Sequence, residues 1–383
     1  MGGTGTLTPA RAVTRTSLDR PAGVAALVVL GAVVFVAIRF AAAGGGDLSH
    51  FVMGTTRFVD PAHAPRSLGL VHGQTYDGIF YYRLALDPSN LHTTAFGIRI
   101  DLPFRFERIG YPFLAWLVSL GQAPLVPYSL VLVNLLALGA IGFLGATFAR
   151  DARRHALWGL LLPGFFGLWF SVARDLTEPV SAACLLAALL AYRRGRFALA
   201  GGLFAYAALT RLAAFAWRRS APGRADVAWT VPVLAFAAWQ VVAWDATGTV
   251  PFSSNLKENA GSFLHPLVHA VSTNVRLLSV HHPDSDIWVV EVAVLAVFVG
   301  GAAWSLRTTT APPHERVAFV AYAVQACFLS AYVYDDLSDL RTLVELYLFA
   351  VLVLLGTRRS LRPYAALLLV PLALAVGHRI VSL

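Results

Sequence analysis

Four acidic residues (Asp77, Asp87, Asp101, Glu107) and four arginines (Arg83, Arg99, Arg105, Arg108) fall between Tyr76 and Pro112. They do so in a chain with only 13% charged residues. A carboxylate so placed can take a proton from a hydroxyl as a general base. A guanidinium can hold an anion such as phosphate in a forked, charge-assisted contact. It can also stabilise charge that grows on a leaving oxygen. The plainer alternative is a solvated loop with surface charges. Against it, Tyr76, Phe80, Tyr81 and Tyr82 stand among the charges, and aromatics beside charges suit a membrane–water interface. In a helix, Asp77 shares a side with Phe80, Tyr81 and Leu84 at three- and four-residue spacing. That helix would lie along the membrane with Asp77 toward whatever docks there. Gly78 follows Asp77 and gives the backbone freedom for close approach of a substrate. Asp101 is the second candidate base, although Arg105 and Arg108 nearby suggest that it pairs with them.

Three further polar groups interrupt apolar sequence: Arg174 and Asp175 with Glu178, then Arg211, then Asp335, Asp336 and Asp339 with Arg341. Each alone reads as an interfacial anchor or a paired charge. A charge at a helix end in lipid is costly unless paired or facing water, which makes it a functional candidate. All three groups and the Asp77 loop are expected on one side of the membrane.

The elements that would position them are helices. Of the 383 residues, 57% are hydrophobic, above the roughly 45–50% of soluble domains. Several apolar runs reach the length of about 18 residues that marks a transmembrane candidate. The expected fold is an all-α, polytopic transmembrane bundle of about ten or eleven spans. It forms one integral membrane domain, 1–383, with a long first extracytoplasmic loop that carries interface-lying helices. Arg11, Arg15 and Arg20 place the N-terminus, 1–22, in the cytoplasm. The first span runs from Gly23 to Ala43; its apolar core is too long for a signal peptide.

The first outer loop covers 44–124. Ile109–Leu120 within it is too short to cross comfortably, and as a span it would put Arg150, Arg153 and Arg154 outside. It is kept in the loop as a re-entrant or interface-lying helix. Further apolar runs occupy 125–148, 156–172, 179–192, 197–210, 227–244, 287–306, 317–333, 342–356 and 363–377. A second outer loop covers 245–286. Between Arg211 and Arg218, Leu212–Trp217 admits either a short tilted segment or an extended fifth helix. The arginine-rich turns 150–155, 193–196, 307–316 and 357–362 are expected in the cytoplasm.

The net charge of +9 is almost all arginine, since Lys257 is the single lysine. These arginines read as topology signals, and no nucleic-acid partner is expected. Cys184 and Cys327 fall in apolar runs and read as small core residues. No cofactor is expected. His281 and His282 with Asp284 and Asp286 have suitable atoms for a metal, but loop histidines are usually solvated, and no metal site is expected.

Carboxylates beside arginines at a membrane surface fit a sugar carried on a polyprenyl phosphate: an apolar tail, an anionic phosphate and a glycosidic leaving bond. Here the sequence resembles the GT-C superfamily of polyprenyl-phosphate-sugar-dependent integral membrane glycosyltransferases. The residues that carry the resemblance are Y-D-G-I-F-Y-Y at 76–82, Y-P-F-L at 111–114 and D-L-S-D-L-R-T-L before a late span. It covers most of the chain in topology and only short stretches in motif. The resemblance implies an enzyme of the cell envelope that transfers a hexosyl or pentosyl unit with inversion. Its site faces the extracytoplasmic side of the cell membrane. Asp77 matches the catalytic aspartate of the first outer loop, and Arg341 matches the arginine near the donor phosphate. Arg211 is expected beside Arg341, with Arg83, Asp101, Arg108, Asp175 and Glu178 in support. Partners would be the lipid-linked donor, a glycan, lipid or protein acceptor, and membrane lipids.

Two other readings stay open. One is a transporter or flippase for a lipid-linked or anionic substrate, which the nearly charge-free helix centres disfavour. The other is a non-catalytic protein of the same fold.

Overall fold

The computed structural model describes residues 19–42, 44–211, 227–280 and 283–381. The chain is mostly helical. Helix α1 (Pro21–Ala42) carries an apolar outer face, with Leu30, Val33, Val34 and Ile38 exposed, and packs its other side on α4. The first loop then folds as α2 (Gly78–Leu86), a two-stranded hairpin of β1 (Thr94–Ala95) and β2 (Ile98–Arg99), and a 3-10 turn at Pro103–Glu107. Helix α3 (Gly110–Ser119) closes it.

Helix α2 is buried on every face, so it does not lie along an interface with one side free. Its aromatic and aliphatic residues fill the space between the first loop and the bundle, and burial of each such side chain contributes about 1.5–3 kcal/mol. Helix α3 buries Tyr111 and Ala115 but exposes Leu117 and Val118; Leu120, just past its end, is exposed too. At 1.5 Å per residue it rises only about 15 Å, half the hydrocarbon thickness of a bilayer.

The bundle follows: α4 (Val126–Asp151), α5 (Phe166–Ala173), α6 (Glu178–Arg193), α7 (Phe197–Thr210), α8 (Val227–Thr247), α9 (Pro251–Asn259) and α10 (His265–Leu277). It continues with α11 (Pro283–Ser305), α12 (Pro313–Ala326), α13 (Ala331–Asp335), α14 (Val344–Leu355) and α15 (Arg362–Val381). Proline stands in the first turn of α4, α6, α9, α10 and α12, where its missing N–H costs nothing. Helix α14 is buried at all twelve positions and forms the centre, with α11 and α12 against it. Among the described residues three helices, Pro21–Ala42, Val126–Asp151 and Asp284–Ser305, are long and apolar enough to cross a membrane. Ala228–Thr247 and Pro251–Asn259 pass the same test together but meet at a 97° bend, as a broken span or a re-entrant loop.

Two expected spans are broken. The run 156–172 divides into a 3-10 turn at Ala156–Leu161 and the eight-residue α5, because Pro163 and Gly164 interrupt it. The run 317–333 leaves the helix after Ala326. There Phe328 and Cys327 accept from the amides of Gly261 and Leu264, and Ser330 donates to Asn259. The backbone thus leaves the helical ladder to pair with the segment between α9 and α10. Leu212–Trp217, Arg218, Arg219, Arg224, His281 and His282 lie outside the described residues.

The polar turns gather at two ends. At one, Asp19 meets His155, and Arg154 donates to the carbonyls of Leu355, Thr357 and Arg359. Thr310 bonds to Gly356, and Arg193 pairs with Glu315. The Asp77 loop, the 174–178 turn, Arg211 and the Asp339–Leu343 turn meet at the other.

Candidate functional site

Asp77 is the N-cap residue of α2, yet its side chain makes no capping hydrogen bond. A capping aspartate normally bonds an amide of the first turn, a contact worth about 1 kcal/mol. Here the carboxylate turns to three arginines instead. Arg105 Nε lies 3.4 Å from Oδ1; Arg108 Nη1 and Arg341 Nη2 lie 3.5 and 3.4 Å from Oδ2. These distances exceed the 2.7–2.9 Å of tight charge-assisted bonds, so Asp77 is surrounded without being clamped. Burial pushes its pKa up, but the guanidiniums of Arg105, Arg108 and Arg341 outweigh burial and hold the carboxyl below its usual range.

Each arginine has a support. Arg105 pairs with Asp101 and lies 3.9 Å over the Phe80 ring, a cation–π contact. Arg108 donates to Tyr81 Oη at 2.8 Å. Arg341 pairs with Asp339, reaches Glu178 Oε1 at 3.1 Å through Nε, and stacks over Tyr76. Tyr76 donates to Asp339 at 3.0 Å. For Asp339 burial dominates over the pull of Arg341, and its pKa is raised. Glu178 also meets Arg211 at 3.4 Å, and Arg211 reaches Glu345 at 3.6 Å. The result is a continuous chain of ion pairs from Asp101 to Glu345.

Close backbone packing fixes this arrangement. A Cβ at Gly78 would stand 2.4 Å from the Arg174 carbonyl oxygen and 2.8 Å from that of Val52. The close approach expected at Gly78 is therefore made by the chain's own backbone. Asn134, a buried amide within α4, donates to Tyr111 Oη and to the Leu176 carbonyl, tying α3 and the 174–177 turn to the bundle. Gly167 of α5 is as crowded: its Cβ would lie 2.8 Å from Arg341 Cα.

The chain of ion pairs borders two adjoining cavities. The larger, about 340 Å³, is lined by Asp77, Asp101, Arg105, Arg108, Arg341 and Tyr332, among others. The smaller, about 90 Å³, is lined by Arg211, Asn255 and Glu345. Arg108, Asn259 and Thr342 line both. The arrangement can bind an anion through guanidiniums while presenting one carboxylate to a neighbouring hydroxyl.

The structure thus brings together Asp77, Asp101, Arg108, Glu178, Arg211 and Arg341. It does not bring Arg83 or Asp175 to the cavity. Arg83 sits on the opposite side of α2, donating to the His92 carbonyl and stacking over Phe106. Asp175 is fully buried, and its oxygens accept no hydrogen bond among the described residues. Burial raises its pKa well above the usual value despite the pull of Arg39. Helical spacing put Asp77 and Arg83 in one loop but not on one face, and the left-handed backbone at Asp175, φ 50°, turns its side chain inward. Arg105, Asp339 and Tyr76 were visible as polar residues but not as members of the site. Glu345 was overlooked, although an acid four residues after Arg341 in a wholly apolar helix carries a signal. Among the described residues no group of three His, Cys, Asp or Glu could hold a metal ion.

No protein-family model, no curated protein and no solved structure matches this chain.

Proposed function

We propose that this protein is an inverting glycosyltransferase of the cell membrane, as its resemblance to the GT-C superfamily implies. It moves a hexosyl or pentosyl unit from a polyprenyl-phosphate donor to a hydroxyl of a glycan, lipid or protein. One observation carries this reading: a single carboxylate, Asp77, surrounded by three guanidiniums on the wall of a cavity of about 340 Å³.

Before a donor binds, Asp77 is a weak base, because three positive groups hold its proton affinity down. A donor phosphate competes for the same guanidiniums, Arg341 foremost. As it takes them, Asp77 loses counter-ions and gains basicity. The acceptor oxygen then attacks the anomeric carbon, and its proton passes to Asp77. The bond from that carbon to the phosphate oxygen breaks, and the electron pair stays on the phosphate, where arginines stabilise it. Direct attack inverts the anomeric centre. The test is transfer from a radiolabelled polyprenyl-phosphate sugar in proteoliposomes. No transfer from pentosyl or hexosyl donors by the intact protein, with the donor instead carried across the bilayer, would replace this reading with the transporter one.

The same proposal sets the cavity on the extracytoplasmic face of a multi-pass protein. The turns 150–155, 193–196, 307–316 and 357–362 converge at one end through Arg154 and Arg193, and arginine-rich turns stay cytoplasmic. A cysteine at Arg194 should resist an impermeant thiol reagent in intact cells and react after permeabilisation. Labelling in intact cells would reverse the orientation.

A further inference from the structure

A third polar cavity, about 400 Å³, lies between α10, the start of α11 and the turn after α13. Its wall carries Asp284, Asp335, Asp336, His269 and Thr273, and no lysine or arginine lines it. It therefore disfavours the phosphate that suits the arginine-lined cavity. Acidic residues alone would signify little, but two deeply buried polar side chains also line it. Ser285 is 3% exposed and Asn274 is 8% exposed. The Ser285 hydroxyl makes no hydrogen bond to any described residue. Asn274 gives one N–H to the Ala270 carbonyl, and its amide oxygen accepts from no described residue. Both line the cavity, so a ligand that supplies donors and acceptors can engage them there. Trp288 lines the same cavity with its indole N–H already committed to the Tyr334 carbonyl at 2.8 Å. It therefore offers apolar ring surface and no donor.

We infer that this cavity binds a neutral saccharide, the acceptor glycan of the proposed transfer reaction. The inference rests on that reading for the word acceptor, but not for the saccharide. Sugar hydroxyls both donate and accept, so they match a wall of carboxylates, an amide and hydroxyls. The Asp335 and Asp336 residues are exposed, so their carboxylates can accept from hydroxyls in water. The position suits an acceptor. Asp336 lines this cavity, Asp339 lines the arginine-rich one, and the Asp339 amide bonds the Asp336 carbonyl at 3.1 Å. A turn closed by such a bond spans less than about 7 Å. A glycan seated here needs to cross only that turn to place a hydroxyl near Asp77.

The test is saturation-transfer NMR on the detergent-solubilised full chain. The probes are a panel of neutral trisaccharides built from hexopyranose or pentofuranose units. At least one should receive saturation from the wild type. Asn274→Ala and Ser285→Val should each lower that signal at least fivefold, while Asp60→Asn, on the first loop and outside the lining of this cavity, leaves it unchanged. Thermal unfolding identifies any variant that fails to fold. Asp335→Asn, at an exposed side chain, should weaken the signal with no fold defect. The inference is overturned if no trisaccharide binds. It is also overturned if the folded cavity variants bind as the wild type does. Binding is read without donor or turnover. A protein that fails in glycosyl transfer can still pass here, and one that transfers can still fail here.

Discussion

The two ends of the bundle both bury arginine against acid, and they do so differently. At the arginine-rich end, Arg193 engages both oxygens of Glu315, whose side chain is wholly buried, and covers the Phe148 ring. Arg154 spends its donors on three backbone carbonyls. None of these residues lines a described cavity beside the ion-pair chain. At the other end one carboxylate is shared by three guanidiniums at 3.4–3.5 Å, and one guanidinium, Arg341, is shared by three carboxylates. A bidentate, enclosed pair has nothing left to offer a ligand. A shared set bordering a cavity, with Asp77 held only at 3.4–3.5 Å, can exchange one partner for another. Burial of charge therefore marks a closed pair at one end and, on the proposed reading, a binding site at the other, and the sharing of partners separates the two.

The sharpest way to break this comparison is Asp77→Asn, which keeps the shape and removes the base. Transfer should fall by about 10²–10⁴-fold with donor binding largely preserved. Full turnover in this variant together with a dead Asp101→Asn would exchange the roles of the two aspartates. Next in size is Arg341→Lys. It keeps the charge and loses the fork that reaches Asp77, Asp339 and Glu178. The expected loss in kcat/KM is about 10²-fold, the scale of one missing donor to a developing anion; unchanged kinetics would remove Arg341 from the donor site.

At the closed end, Glu315→Gln should act on stability alone. Breaking a buried pair by removing one partner costs about 3–5 kcal/mol. A lowered Tm with unchanged turnover per folded molecule is expected, and a selective loss of turnover would abolish the distinction between the ends. The smallest effect is on pH. The Asp77 carboxyl is held below its usual range, so its basic form persists to lower pH than for an ordinary aspartate. The acid limb of kcat/KM, which reports the free enzyme, should fall below the reference value of about 3.9. In kcat, with the donor phosphate on the arginines, it should move up. Coincident limbs would mean that the donor does not draw on the same guanidiniums.

Much of the helical layout is legible in the sequence, because apolar runs bounded by proline and arginine leave little choice. The runs 179–192, 197–210 and 227–244 return as α6, α7 and α8 within a few residues. The break after Ala326 was not legible, since it depends on hydrogen bonds to a segment some seventy residues earlier in the chain. For the site, local pattern identified Asp77 and its charged neighbours. It could not show that Asp77 forgoes capping, that Gly78 is crowded by Arg174, or that Arg83 turns away. These depend on which backbone arrives from elsewhere. Glu178 was expected to support the site, but its place between Arg211 and Arg341, residues 130 apart in sequence, exists only in the folded chain.

The Arg341 fork has a thermodynamic consequence. Within the ion-pair chain, Arg105, Arg108, Arg211 and Arg341 face Asp77, Asp101, Glu178, Asp339 and Glu345, so the positive charge is already spoken for. The anionic donor proposed above would add negative charge to a set with no surplus cation. Asp339, whose pKa burial has raised, is the group best placed to take up a proton as Arg341 turns toward phosphate. Donor affinity should then strengthen as pH falls, through the linkage between ligand and proton. Titration calorimetry in two buffers of different ionisation enthalpy would read that proton as a difference in apparent heat, and Asp339→Asn would remove it.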